Sequence, residues 1–336
     1  MPSFRTGVVT EILEERSGLQ RVLVEGERAY VLTQLIGTVA IGERVVMNTT
    51  AVELGLGTGG WHVVHWNLDR PDGWSEPGPG HIMKLRYTSL QVDTGASEEE
   101  AGEELPDTLG GMPVVACGLH SQVPCVAVVL KHLRPSTRLA YVMTDGGSLP
   151  IALSDMVHQL RTRGLLDLTI TAGQAFGGDL EAVNLHSALA LARYRGADVA
   201  IAGIGPGVVG TGTRLGHTGL DVVGIVDAAA ALGGVPVLAV RFSDADKRDR
   251  HRGPSHHTMT AVELAAKQLA VPSPDDHDGP DVGVLLEAAG LHVTTMGRGP
   301  ADDPAFFSWA GAAGVAVARL LGGTDRDRVA GNVGSS

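Results

Sequence analysis

Cysteine is nearly missing from this chain: Cys117 and Cys125 are the only two among 336 residues, both in apolar stretches and with no CxxC spacing. A disulfide scaffold and a thiolate zinc site are thereby excluded, and a reduced, cytoplasmic setting is expected. Aromatic residues are scarce as well, with four tryptophans, four tyrosines and five phenylalanines. That leaves few platforms on which single-stranded bases could stack. Basic residues are outnumbered, 26 against 38 acidic, for a net charge of −12. General attraction to nucleic acid phosphates is therefore not expected. No run of 18 apolar residues occurs, and Met1–Gly7 lacks an apolar h-region, so neither a membrane span nor a signal peptide is expected.

What is abundant is glycine, 46 of 336 residues, about twice the usual share of roughly 7%. No collagen period accounts for it, so these glycines serve turns and loops. The 43% hydrophobic and 19% charged content is that of a globular chain. A length of 336 residues at roughly 150 per domain suggests two domains.

The first 67 residues read as short β segments separated by glycines: Thr6–Leu13, Leu19–Val24, Arg28–Leu32, Arg44–Asn48 and His62–Asn67. Gly42 marks a tight turn before a strand, as in small barrels. Arg70–Gly80 is rich in turn dipeptides, and His81–Thr94 resumes an extended pattern with Met83, Leu85 and Tyr87 on one face. An acidic patch follows at Glu98–Glu104, with Ser97 as its cap.

From Pro113 the period changes. Strands are expected at Val114–Gly118, Leu139–Thr144, Leu168–Thr171, Ala197–Ile204, Val235–Val240 and His292–Met296. Helices are expected at Ser121–His132, Pro150–Arg163, Leu180–Arg195, Leu220–Leu232, His257–Ala270 and Pro304–Leu321. Asp179 and Ser255 would be N-caps, and Pro150 would open a helix. The expected division is a β-barrel-like domain over 1–95, an acidic linker over 96–112, an α/β domain over 113–325 and a flexible tail over 326–336. The fold class is thus a Rossmann-like, doubly wound, mostly parallel sheet preceded by a small barrel-like domain.

Connections after helices are short, whereas those after strands are long and hold the unusual residues. In a parallel sheet every strand-to-helix loop emerges at the same carboxyl edge, where ligands of open α/β sheets bind. Gly205-Pro-Gly-Val-Val-Gly210 satisfies G-x-G-x-x-G. It follows the fourth strand, however, and has neither a prompt helix nor a strand-ending acid about twenty residues on. Three readings stay open: a dinucleotide site, a loop that shapes the chain only, and an anion cradle. The cradle would use Gly205, Gly207, Gly210, Thr211, Gly212 and Thr213, with Arg214 supplying charge.

Asp244–His257 is the densest ionisable segment. Asp244, Asp246, His256 and His257 are candidate ligands for a divalent metal, although no H-E-x-x-H spacing is present. Asp145, His251, His256 and His257 are candidate acid–base groups, and the arginines among them suit an anionic ligand. A solvated basic loop is the third possibility. His120 is a further candidate, while Pro150 stands where a G-x-S-x-G elbow around Ser148 would need glycine.

Several stretches resemble a family of uncharacterised bacterial proteins that share a domain of unknown function. They are Asn48-Thr-Thr-Ala-Val, Leu56-Gly-Thr-Gly-Gly60, Leu119-His-Ser121, Tyr141-Val-Met-Thr-Asp-Gly-Gly147 and Phe176-Gly-Gly-Asp179. Gly205–Thr213 and Arg250-His-Arg-Gly-Pro-Ser-His-His-Thr258 complete the set. The resemblance covers most of residues 1–260 and implies a shared fold and site, but no activity, cofactor or catalytic residue. The reading that results is a site for a small phosphate- or carboxylate-bearing molecule, acted on by a metal-assisted hydrolase. A non-catalytic sensor or partner-binding protein, and a purely structural one, are the alternatives. Nucleic acid and membrane are not expected as partners; further copies of the chain are compatible with it.

Overall fold

The computed structural model describes residues 1–56, 59–70, 78, 80–266, 269–276 and 278–330, with side chains of the last helix up to Gly322. Most of the Arg70–Gly80 turn segment, Gly57 and Thr58 in the glycine-rich turn, and the end of the expected tail lie outside these residues. The chain divides into two units, Met1–Gly95 and Ala96–Ser336.

The first unit is a closed barrel of β1 (Phe4–Arg16), β2 (Leu19–Val24), β3 (Glu27–Leu32), β4 (Arg44–Asn48) and β5 (His62–Asn67). Its order is β1-β2-β3-β5-β4, with β4 pairing back onto β1 and only β3–β5 parallel. Alternate residues point inward, so Val22, Val24, Ala29, Val31, Val45 and Met47 fill the interior. The extended pattern expected over His81–Thr94 shrinks to a two-residue ladder, Met83–Lys84 against Val92–Asp93. Leu85 and Tyr87 instead take positive φ, and Tyr87 is fully exposed.

The second unit holds six parallel strands: β6 (Pro113–Cys117), β7 (Leu139–Thr144), β8 (Leu168–Ala172), β9 (Leu180–Ala182), β10 (Val199–Ile204) and β11 (Val235–Ala239). Their order is β9-β8-β7-β10-β6-β11. Helices cover both faces, so the strands read as continuous apolar runs. Val115, Cys117, Tyr141 and Ile201 face α1 (Gln122–Leu133), α6 (Val282–Ala288) and α7 (Pro304–Ala330). Val114, Ala116, Val142 and Ala202 face α3 (Leu185–Tyr194) and α4 (Asp221–Ala231). Two shorter helices, α2 (Asp155–Thr162) and α5 (His256–Leu264), start near the carboxyl edge.

Four expectations are corrected. His292–Met296 alternates in burial but joins no sheet, making only the bridge Thr295–Arg298. Val293 packs into the α1 core, while Met296 is exposed and the segment has no strand to pair with. The sixth place goes to β9, whose three residues are too few to show a period. Consequently Asp179 caps nothing: its carboxylate accepts from the Thr169 N–H at 2.8 Å and pairs with Arg161. The cap of α3 is Asn184, which accepts from the N–H groups of His186 and Ser187 in a capping box. Pro150 bridges to Phe176 in extended backbone, and Ser154 caps α2 in its place.

Residues 96–112, expected as a linker, pack into the second unit. Ser97 Oγ and Glu98 Oε1 accept from the Glu181 and Val183 N–H groups, and Ala101, Leu109 and Met112 join its core. Pro304–Gly322 of α7 is long and apolar enough to cross a membrane, yet more than half of it is buried in the protein, against α1 and β11. It does the work of a core helix.

Candidate functional site

Chain direction makes β7 and β10 the switch point of this sheet. From β7 the chain moves on to β8 and β9, whereas from β10 it crosses over β6 to β11. A crevice is expected between the two carboxyl ends. The backbone itself fills it: the Ser148 N–H donates to Pro206 O at 2.8 Å, and a Cβ on Gly147 would lie 2.5 Å from Gly205 O. Open space remains on either side of this plug. On the α3/α4 face is a cavity of about 490 Å³, lined by Thr144, Asp145, Gly173, Asn184 and Asp221. On the α1 face is one of about 320 Å³, lined by His120, Met156, Gly207 and Val293. Asp145 and Gly207, expected to serve one pocket, therefore line two.

In the first cavity Thr144 Oγ1 donates to Asp221 Oδ2 at 2.8 Å. Burial pushes the Asp221 carboxyl up against that hydrogen bond, and the neighbouring Asp145 charge adds to the rise. Asp145 Oδ2 accepts from the Gln174 N–H at 3.1 Å. At the second, the His120 ring bonds Ile204 O through Nδ1 at 3.1 Å and Ser154 Oγ through Nε2 at 2.7 Å. A carbonyl can only accept, so Nδ1 carries the proton and Nε2 takes the serine's. Burial holds this imidazole down at about 4.

A third arrangement forms beyond β11, where the two long loops of the sequence meet. The Asp244–His257 loop is closed at its base: Ser255 N–H donates to Arg241 O, Arg241 N–H donates to Thr258 Oγ1, and Phe242–Ser243 pairs with Gly253–Pro254. Ser255 then caps α5, accepting from the His257 N–H, and its Oγ lies 2.7 Å from His251 Nδ1. Capping thus sets His256 and His257 in the first helical turn. The other loop folds back on itself, with Thr218 N–H bonded to Val209 O and Thr211 N–H to Gly216 O. This arm delivers His217 to the same place.

The rings of His217 and His257 stack with centroids 3.6 Å apart, and His251 and His256 lean against His257 at 4.9 and 4.4 Å. His217 Nε2 faces the Arg214 carbonyl at 3.2 Å, so it carries the proton and Nδ1 keeps a lone pair. That Nδ1 is buried with no hydrogen-bond partner, and so is His256 Nε2. Arg241 Nη1 donates to His257 Nδ1 at 3.0 Å. The Nδ1 atoms of His217 and His257 converge, each lying 3.2 Å from the point where a Cβ on Gly219 would stand. One donor atom from each of His217, His256 and His257 falls within 4.8 Å of the others.

Burial, then the Arg241 guanidinium, pushes His257 down to about 2 and His251 down to about 3. Burial lowers His217 and His256 as well. At pH 7 the cluster is therefore a set of neutral imidazoles, the form that binds metal or accepts a proton.

Other expected site residues stand elsewhere. Asp246 is enclosed by guanidiniums, Arg248 at 2.8 Å, Arg298 at 3.4 Å and Arg241 at 3.9 Å, and the Arg248 hydrogen bond holds it far below the usual carboxylate range. Its oxygens are committed to these cations. Asp244 is exposed and outside the donor set. Arg214 is exposed and pairs with Glu263 at 2.7 Å. Thr211 and Thr213 bond one another at 2.9 Å within the arm. No helix begins at Gly205, Gly207 or Gly210, so a dinucleotide turn is not formed.

Two residues of the cluster were not singled out from the sequence. His217 closes the glycine-rich loop and Arg241 follows the fifth expected strand, and only that position at the carboxyl edge could have marked them.

A family model described as "Protein of unknown function (DUF3866)" matches residues 28–284. No curated protein matches the chain.

Proposed function

Since the chain belongs to this family of unknown function, its activity has to be argued from the histidine cluster, and we propose that it is a metal-dependent hydrolase of a small anionic substrate. One observation carries the reading: His217 Nδ1 and His256 Nε2 are buried and unpartnered beside a third imidazole. Leaving such atoms unsatisfied costs about 1–3 kcal/mol each, which a bound cation would recover.

Three neutral imidazoles are the ligand set of catalytic zinc sites, which keep a fourth position for water. A metal bound there supplies a water of lowered pKa for attack on an ester or phosphoryl centre. The chain's own groups do the rest. His217 offers its Nδ1 lone pair as it stands and His256 offers Nε2 in the tautomer protonated at Nδ1, whereas His257 becomes a ligand through Nδ1 only when Arg241 withdraws from it. Guanidiniums around the cluster attract an anion. In this reading the protein acts in the cytoplasm, as one chain or a homo-oligomer, without nucleic acid or membrane.

Elemental analysis of zinc-dialysed protein tests the proposal. About one equivalent of zinc per chain is expected, falling to near zero in His217→Ala combined with His256→Ala. A wild-type chain that holds no zinc, or a double variant that retains it, would refute the reading. A ligand sensor built on the same cluster is the second reading. It is favoured by Asp145, the expected carboxylate base, lining a cavity that none of the histidines lines.

A further inference from the structure

Among the described residues Arg250 forms no ion pair, whereas Arg241, Arg248 and Arg298 each lean on a histidine or a carboxylate. Its guanidinium lies across the arm of the other loop, with its atoms 3.6–3.7 Å from where a Cβ on Gly212 would stand. Gly212 has a φ of +83° and no side chain to fill that space. Arg250 therefore spans from the Asp244–His257 loop to the Thr211–Thr213 turn, and its charge reaches His256.

Counting charges sharpens the class of ligand. The charges of Arg248, Arg250 and Arg298 all act on the Arg241 guanidinium, and the buried carboxylates among them are Asp246 and Asp303. Among these six groups positive charge exceeds negative by about two, on a chain of net charge −12. A divalent ion would raise that excess to about four, which a carboxylate monoanion offsets poorly and a phosphoryl dianion offsets better.

We propose that Arg250, reaching over Gly212, binds the phosphoryl oxygens of the substrate beside the histidine-held metal, and that the substrate class is a phosphate monoester. This rests on the metal reading above. In the reaction, a water oxygen bonds to phosphorus as the phosphorus–oxygen ester bond breaks. The water's proton passes to the departing alkoxide, and the products are an alcohol and inorganic phosphate, with no change of oxidation state.

The test is calorimetric titration of the zinc-loaded full chain with inorganic phosphate, paired with zinc content. Arg250→Ala is expected to weaken phosphate binding about tenfold or more at unchanged zinc content. Arg250→Lys should recover part of the loss. Arg252→Ala, a cation two residues away that is exposed like Arg250 but does not reach over Gly212, should change it less than about twofold, as expected of a screened surface charge. Equal losses in Arg250→Ala and Arg252→Ala would mean a diffuse field and overturn the proposal. So would unaltered phosphate binding in Arg250→Ala, or acetate competing as well as phosphate. A zinc-loaded wild type that ignores phosphate overturns this inference and leaves the metal reading standing. A wild type that binds no zinc but holds phosphate through Arg250 overturns the metal reading and, with it, the metal-assisted step proposed here, leaving only an anion site at Arg250.

Discussion

Replacing His120 by glutamine should remove a measurable part of the protein's sensitivity to acid. The buried imidazole is held near 4, against about 6.5 in an unfolded chain. Folding therefore favours the neutral ring: its contribution is complete above about pH 6.5 and is lost as the pH falls towards 4. At pH 5 the unfolded ring is almost wholly protonated while the folded one is not, and the linkage relation puts the loss at about 2 kcal/mol. Well below pH 4 it levels at about 3 kcal/mol. Glutamine cannot titrate, and although it lowers stability at every pH by loosening the bonds to Ile204 and Ser154, it should flatten the slope. Urea denaturation followed by circular dichroism at pH 8, 6 and 5 gives both numbers. If wild type and variant lose the same stability between pH 8 and pH 5, within about 0.5 kcal/mol, the buried neutral ring is not the cause and the reasoning fails.

Three further outcomes concern the cluster, the plug and α4. Arg241→Leu should tighten zinc binding in a competition titration with a chromophoric chelator, because it removes a cation and frees His257 Nδ1; weaker binding would contradict the assigned competition. Gly147→Ala should cost about 2 kcal/mol or more, since its Cβ meets the Gly205 carbonyl at 2.5 Å. Gly224→Ala, in the middle of α4 with nothing within 4 Å, should instead gain about 0.5–1 kcal/mol. Thermal or urea unfolding of the pair distinguishes the two signs.

Leu139–Thr144 is legible to the residue because a strand buried on both faces is an unbroken apolar run, and Asp145-Gly-Gly marks its end. Leu180–Ala182 is not, because three residues carry no period and the helical pattern behind them runs into them. His292–Met296 misled for the opposite reason: its alternation is real, but alternation reports burial of one side and says nothing about whether a neighbouring strand is there to bond.

Local pattern alone determined the barrel strands, the parallel α/β unit, the crowding of unusual residues on one edge, and the pair His256–His257 at a capped helix start. These follow from side-chain period, capping and turn chemistry, which act over a few residues. Tertiary structure decided which strands became neighbours, and hence that Gly147 and Gly205 close the switch-point crevice. It also set Asp145 and Gly207 on different faces, and brought His217 from one loop to meet His256 and His257 on another. Strand order is settled by how whole layers pack, an energy summed over residues far apart in the chain, so no short stretch of sequence records it.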